Sequence, residues 1–257
     1  MGISKAEAII LHSRKQGETS KILTLYTREY GKISVMAKGS RGLRSKYLGT
    51  LEMFNHVSIV FYRKEGRSLQ YLSDASIVES FPLLHGQLGK IALAAVACEM
   101  VDVNEEEASH PEQFQLLLSA LRSFNDSEQG LRNILRAFQI QYISHAGYAP
   151  MLEACCYCQK LQADEVNFLS LERGVYSCGQ CGLLPEASRR VRGYVIELLR
   201  WLKNVPIENA AQARVSRSAG EEMDAILADY LKTHVEAFAH LHSIEHLKKL
   251  QIELGQN

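Results

Sequence analysis

Several things are missing from this 257-residue sequence, and each absence narrows what it can be. No apolar run approaches the ~20 residues that a membrane-spanning helix needs. The opening Met1-Gly2-Ile3-Ser4-Lys5 leads directly into alternating apolar residues, without the charged, apolar and small-residue regions of a secretory signal. A cytoplasmic protein with no membrane association is therefore expected. No G-x-x-x-x-G-K-[ST] occurs, which removes a P-loop nucleotidase, and neither G-x-S-x-G nor G-x-G-x-x-G is present. Internal repeats and low-complexity tracts are also missing. Net charge is zero, from 29 Lys and Arg against 29 Asp and Glu, but the balance is uneven. Residues 1–82 carry 13 basic against 7 acidic side chains, and residues 83–257 carry 16 against 22. A basic N-terminal part on an acidic body remains compatible with a polyanionic partner.

Cysteine is scarce outside one segment. Cys98 stands alone in an apolar stretch and reads as core, whereas Cys155, Cys156, Cys158, Cys178 and Cys181 crowd together. A disulfide framework would be spread through a short secreted chain, so this cluster points to metal or redox chemistry. Cys155-x-x-Cys158 and Cys178-x-x-Cys181, nineteen residues apart, can each aim two thiolates at one ion and together complete a tetrahedral set. A redox C-x-x-C pair would need only one motif, at a helix start. Structural Zn2+ fits best, with iron the alternative for the same four sulfurs. Cys156 is a possible substitute for Cys155. Gly179 and Gly182 flank the second turn, and the intervening residues 167–171 and 174–177 read as short strands of a zinc ribbon.

Residues 5 to about 80 read as β structure, with strands at 6–13, 20–27, 32–38, 56–62 and 69–79 separated by turns at Gly17, Gly31 and Gly66. Five short strands in this length suggest a small closed barrel of the OB type. From Leu83 the period becomes helical. Helices are expected at 83–103, from a Ser109-His-Pro-Glu112 capping box to 124, at 128–145, at 189–203, and from a Ser218-Ala-Gly-Glu221 capping box to 253. Asp102 to Glu107 reads as an acidic connector. The expected class is α+β: a five-stranded OB-fold barrel at 1–80, then an α-helical domain at 81–257 with a four-cysteine zinc ribbon inserted at about 151–185.

The barrel's basic residues fall into three groups: Arg14 and Lys15; Lys38, Arg41, Arg44 and Lys46 around a long glycine-containing loop; and Arg63, Lys64 and Arg67 at a hairpin tip. Tyr47, Phe54, Tyr62 and Tyr71 lie nearby. Mobile cations suit phosphate contacts and aromatic rings suit unpaired bases, so these residues form a candidate nucleic-acid-binding set. Trp201 is expected to pack within its helix. His242-Ser-Ile-Glu245-His246 matches an inverted zinc-protease pattern, but only Glu253 could complete it, and a solvated helix face is the plainer reading.

Several segments in order resemble the RecO recombination mediators: Ala8-Ile-Ile-Leu11, Gly17-Glu18-Thr-Ser20, Leu25-Tyr-Thr27, Gly31-Lys32, Ala37-Lys-Gly39, then Ser45 and Leu51, and later Gly147-Tyr148-Ala-Pro150 before the paired cysteine motifs. The resemblance implies an OB-fold, a helical C-terminal domain and, in many members, a zinc ribbon. It implies binding of single- and double-stranded DNA, annealing of complementary strands and loading of the RecA recombinase, with RecR and the single-stranded DNA-binding protein SSB as partners. It implies no covalent chemistry, and a place in the cytoplasm, at the nucleoid during repair. Some members lack the cysteines; this chain keeps all four.

Such proteins can recognise the acidic, phenylalanine-ended tail of SSB. Arg132 and Arg136 lie four apart on one helical face beside Leu131, Ile134, Leu135 and Phe138, and Arg122 joins them if the two helices form a hairpin. A plain salt bridge from Arg132 to Glu128 is the competing expectation. Two other functional classes are a zinc-ribbon enzyme acting on nucleic acid, which would need convergent carboxylates near the metal, and an interaction scaffold with no DNA affinity.

Overall fold

The computed structural model describes residues 2–42, 44–103, 108–182, 184 and 188–253. The strands are β1 (Gly2–Gln16), β2 (Ser20–Thr27), β3 (Gly31–Ala37), β4 (His56–Arg63) and β5 (Leu69–Glu79). Helices α1 (Pro82–His85), α2 (Leu88–Asp102), α3 (Pro111–Asp126) and α4 (Leu131–Ile143) follow. Then come β6 (Val166–Ser170), β7 (Val175–Cys178), β8 (Arg189–Arg192), α5 (Gly193–Asn204), α6 (Arg217–His234) and α7 (His242–Glu253). Among these, no helix is long and apolar enough to cross a membrane. The chain forms two compact units, one reaching Asp126 and including the segment from His242 onward, the other Ser127–Leu241.

In the first unit β1–β5 close into an OB-fold barrel in the order β1-β2-β3-β5-β4, with β4 returning to β1. All pairings are antiparallel except β3 with β5, which meet only at Ser34–Leu69, Val35–Gln70 and Met36–Tyr71. Side chains of one parity, including Ala8, Ile10, Leu23, Leu25, Val35, Ile59 and Phe61, fill the interior. Ile9, Leu11 and Tyr26 face outward and are buried as well. Tyr26 bonds Gln113 and packs on Phe114 of α3. Burial on both faces explains why Ala8-Ile-Ile-Leu11 reads as a continuous apolar run rather than an alternating one.

Tyr47 and Leu51, from the loop between β3 and β4, belong to the barrel core, and Phe54 is 2% exposed. Tyr47 and Phe54 are therefore packing residues and not the stacking surfaces expected from their neighbours in sequence. His56, buried on β4, lies 3.4 Å from Glu7 and edge-on to Phe114. Burial lowers its pKa below the ordinary value, against the opposing pull of Glu7 and Glu79. The expected helix at 83–103 is two pieces, α1 and α2, and Lys90 of α2 is buried with its ammonium donating to the Asn125 carbonyl at 2.7 Å. The Ser109 hydroxyl donates to the Arg28 carbonyl at 2.5 Å, a different contact from the capping box expected there. Of the acidic connector, 104–107 lies outside the described residues.

In the second unit α4 runs into a short π-helical turn at Ser144–Tyr148, where Gly147 has φ 92°. The expected helix at 189–203 begins instead as a strand: β8 pairs with β6, and the helix starts at Gly193. The α6 cap is Ser216, whose hydroxyl accepts from the Ala219 N–H at 3.3 Å, so Ser218 lies inside the helix. The single terminal helix is also broken, because Val235 adopts an extended conformation and a short 3-10 turn leads to α7.

Candidate metal centre and nucleic-acid interface

Antiparallel β6 and β7 form a hairpin, with β8 on the other side of β6. The Cys155 knuckle closes through Gln159 N–H to the Cys155 carbonyl at 3.0 Å and Cys155 N–H to the Lys160 carbonyl at 2.9 Å. The Cys178 knuckle leaves the end of β7, and the N–H groups of Cys181 and Gly182 both donate to the Cys178 carbonyl at 3.1 Å. Gly182 has φ 80°, a conformation that disfavours any side chain. A Cβ on Gly179 would lie 2.7 Å from the Val166 carbonyl oxygen.

This framework brings the sulfurs of Cys155, Cys158, Cys178 and Cys181 within 4.8 Å of one another. Cys158 Sγ and Cys178 Sγ are 3.7 Å apart. Four thiolates at ~2.3 Å around a tetrahedral zinc would be about 3.8 Å apart, so the donor set fits such an ion. Cys156 is outside the set; its N–H donates to the Tyr176 carbonyl at 2.9 Å. Burial pushes the Cys155 thiol up, but the N–H groups of Cys158, Cys178 and Tyr157 outweigh it and bring the thiol down to about 6. The Cys178 N–H donates to Cys155 Sγ at 3.3 Å. Asp164 ties the two knuckles together, accepting from Lys160 Nζ at 2.5 Å and from the Gln180 N–H at 3.3 Å. Lys160 is held above its ordinary pKa by Asp164 and further by the charges of Cys178 and Cys158. Among the described residues this is the one group of three or more His, Cys, Asp and Glu side chains positioned to share an ion, and His242, Glu245 and His246 are not part of it. The backbone of His242 instead donates to Glu99 at 2.9 Å.

The barrel brings some of the expected cations together. Lys38, just past β3, and Arg67, in the β4–β5 turn, both lie over the Tyr71 ring, at 4.9 and 5.2 Å from its centroid. Arg63 lies 4.7 Å over the ring of Tyr30. Arg41 joins the long loop to the β1–β2 turn through its guanidinium, which donates to the Gly17 carbonyl at 2.9 Å, near exposed Arg14 and Lys15 on β1. Lys46 is engaged locally, 3.0 Å from Asp74 and 5.0 Å over Tyr47, and Asp74 raises its pKa. Arg44 and Lys64 are exposed. Tyr62 is 39% exposed, so it and Tyr71 are the ones of the four named aromatics that reach the surface. The role of Tyr30 was not visible in sequence, because Arg63 reaches it only through the fold.

The arginines proposed for an acidic tail have internal partners. Arg132 and Arg136 share a face of α4, and both meet Asp224 of α6 rather than Glu128, at 2.9 and 2.7 Å. Arg136 is 4% exposed, with a further bond to Asn133. Arg122 belongs to the first unit, where it makes a two-pronged contact with Glu79 at 2.8 and 2.9 Å. Trp201 is 40% exposed on α5, contrary to the packing role expected for it.

Residues 1–81 match the family described as Recombination protein O N terminal, and residues 85–243 match Recombination protein O C terminal. The chain is similar to the DNA repair protein RecO of Pelotomaculum thermopropionicum, 34% identical over 237 residues, which cover 92% of this chain and 91% of that protein. It is similar to DNA repair protein RecO of Symbiobacterium thermophilum, 31% identical over 92% of this chain and 94% of the relative. A third relative of the same name, from Alkaliphilus metalliredigens, is 29% identical over 96% and 99%.

Proposed function

From the premise that the chain belongs to the RecO family of DNA repair proteins, we propose that it is a recombination mediator that works by binding and not by covalent catalysis. In this reading the barrel, 1–80, takes single- and double-stranded DNA and supports annealing of complementary strands. The helical part, 81–257, carries the zinc ribbon and contacts partners. With RecR, the protein helps load RecA onto SSB-coated strands, in the cytoplasm at the nucleoid. The observation that carries the DNA assignment is the convergence of Lys38 and Arg67, 29 positions apart in sequence, on one tyrosine ring. Arg63 on Tyr30 and the exposed Arg14, Lys15, Arg41, Arg44 and Lys64 extend the basic surface. Lys46 contributes less, because Asp74 already occupies it.

The four cysteines support a closed thiolate shell for Zn2+, with no open position for water, so the ion would hold the ribbon together. Tail recognition rests on Arg132, which is 44% exposed at its side chain, with buried Arg136 one turn along the same helix; Arg122 belongs to the other unit and is already paired with Glu79.

The test is DNA affinity against salt for wild type and for Lys38→Ala/Arg41→Ala/Arg44→Ala/Lys46→Ala. Each lost phosphate contact removes about 0.9 from the log–log slope on duplex DNA. The slope is expected to flatten by fewer than four such steps, because Lys46 is neutralised by Asp74. An unchanged slope moves the DNA site elsewhere, and wild-type protein without measurable DNA affinity leaves the scaffold reading.

A further inference from the structure

β5 carries two consecutive residues that organise the barrel's cations from opposite sides. Gln70 is buried, at 8% exposed. Its amide oxygen accepts from the Lys64 N–H at 2.9 Å, and its nitrogen donates to the carbonyls of Lys64 and Arg67 at 3.1 and 2.6 Å. The backbone of the β4–β5 tip is thereby fixed from within. Tyr71 is next in sequence and so points the other way. It pairs with Met36 in the last rung of the parallel β3–β5 ladder. Paired residues share a face, and Lys38 stands two places beyond Met36, so the ladder itself delivers Lys38 to the Tyr71 side. Arg67 arrives from the clamped tip. Both cations lie within the ~6 Å at which an aromatic ring attracts them.

We infer that Tyr71 is a positioning residue of the DNA surface, holding Lys38 and Arg67 together for the sugar–phosphate backbone, and is not a platform on which a base stacks. This rests on the reading of the barrel as the DNA-binding part. The ring is half-buried and already engages two cations. A base stacking on a face that a cation covers would displace a charge that its own phosphate needs. Holding two long cationic side chains before binding removes part of the ordering cost that free lysine and arginine side chains would incur on the complex.

The experiment measures binding of the full chain to three probes of equal length: a single-stranded DNA oligonucleotide, its abasic sugar–phosphate counterpart, and a duplex. The variants are Tyr71→Phe, Tyr71→Leu and Lys38→Ala/Arg67→Ala, alone and with Tyr71→Leu. Tyr71→Phe, which keeps the ring, is expected to bind as wild type. Tyr71→Leu should weaken all three probes by the same factor, about two- to fivefold for each cation released. It should add nothing in the background that already lacks both cations. If Tyr71→Leu lowers the melting temperature, Tyr71→Met repeats the test with the bulk retained. A loss confined to the base-bearing single strand would make the ring a base platform and overturn the inference. Wild-type binding by Tyr71→Leu alongside weakened Lys38→Ala/Arg67→Ala would overturn it too, while leaving the barrel as the DNA site. Unchanged binding by Lys38→Ala/Arg67→Ala would remove the surface from under both.

Discussion

Arg136, buried on α4, donates to both carboxylate oxygens of Asp224 on α6, at 2.7 and 3.0 Å. A Cβ on Gly220 would lie 2.7 Å from the same guanidinium, so α6 approaches closely there. Arg132 reaches Asp224 from one turn away. Asp224 thus neutralises two cations, of which one, Arg136, is almost wholly buried.

The first prediction follows from that sharing. Asp224→Ala leaves the Arg136 charge buried without its carboxylate. Breaking a fully buried pair costs about 3–5 kcal/mol. Because Asp224 is 41% exposed at its side chain, about 2 kcal/mol is expected here, measured by denaturant unfolding. If the SSB tail uses Arg132, Asp224 competes with the tail's carboxylates. Asp224→Asn should then tighten tail-peptide binding, and Arg132→Ala should weaken it. A folded pair of variants with wild-type affinity would remove α4 from the tail site.

The metal prediction concerns the second unit. Four thiolates must be held at one point, so metal binding and folding of the ribbon are coupled. Elemental analysis should return about one zinc per chain. Cys178→Ser and chelation should each lower the unfolding temperature, whereas Cys156→Ser should leave the zinc content intact, since Cys156 lies outside the sulfur cluster. A metal-free preparation of equal stability would refute the assignment.

A pH effect is expected from His56. Its folded-state pKa is depressed, mainly by burial, so the unfolded chain binds the proton more readily. The stability contributed by neutral His56 is present above the unfolded value of about 6.5 and is lost as pH falls below it. Glu7 and Glu79 soften the loss, and Arg122 sharpens it. Unfolding measured between pH 7.5 and 5 should show a decline that His56→Phe reduces. Parallel profiles for the two proteins would assign the acid sensitivity to other groups.

Local chemistry was legible wherever one segment contained its own reason. Alternation in β2 and β4 marks the barrel strands, and the spacing of the paired C-x-x-C motifs marks the sulfur cluster. The strand β8 was not legible: Arg189-Arg190-Val191-Arg192 has one fully buried side chain and runs straight into an amphipathic helix, so its period reads as helical. The break at Val235 has no glycine or proline to announce it. The Ser218-Ala-Gly-Glu221 pattern resembles a capping box, but Ser216, two residues earlier, makes the capping bond. Tyr71 stood among the aromatics named from sequence, but its task depends on the parallel meeting of β3 and β5, two strands separated by the whole of β4. Tyr47 and Phe54 lie in the loop between β3 and β4, outside any strand period, so nothing local marks them as buried.

The junction at Arg192 and Gly193 bears on modularity. β8 ends and α5 begins without an intervening residue, and the Gly193 N–H donates to the Glu165 carbonyl at 2.9 Å, back into the ribbon. A side chain at Gly193 would collide with the Asp164 carbonyl, 1.9 Å from its Cβ position. The ribbon is thus spliced into the helical framework and not strung beside it as a detachable cassette. Removing the sheet would leave the first N–H of α5 without the Glu165 carbonyl that receives it, so the start of the helix belongs to the ribbon as much as to the helical framework.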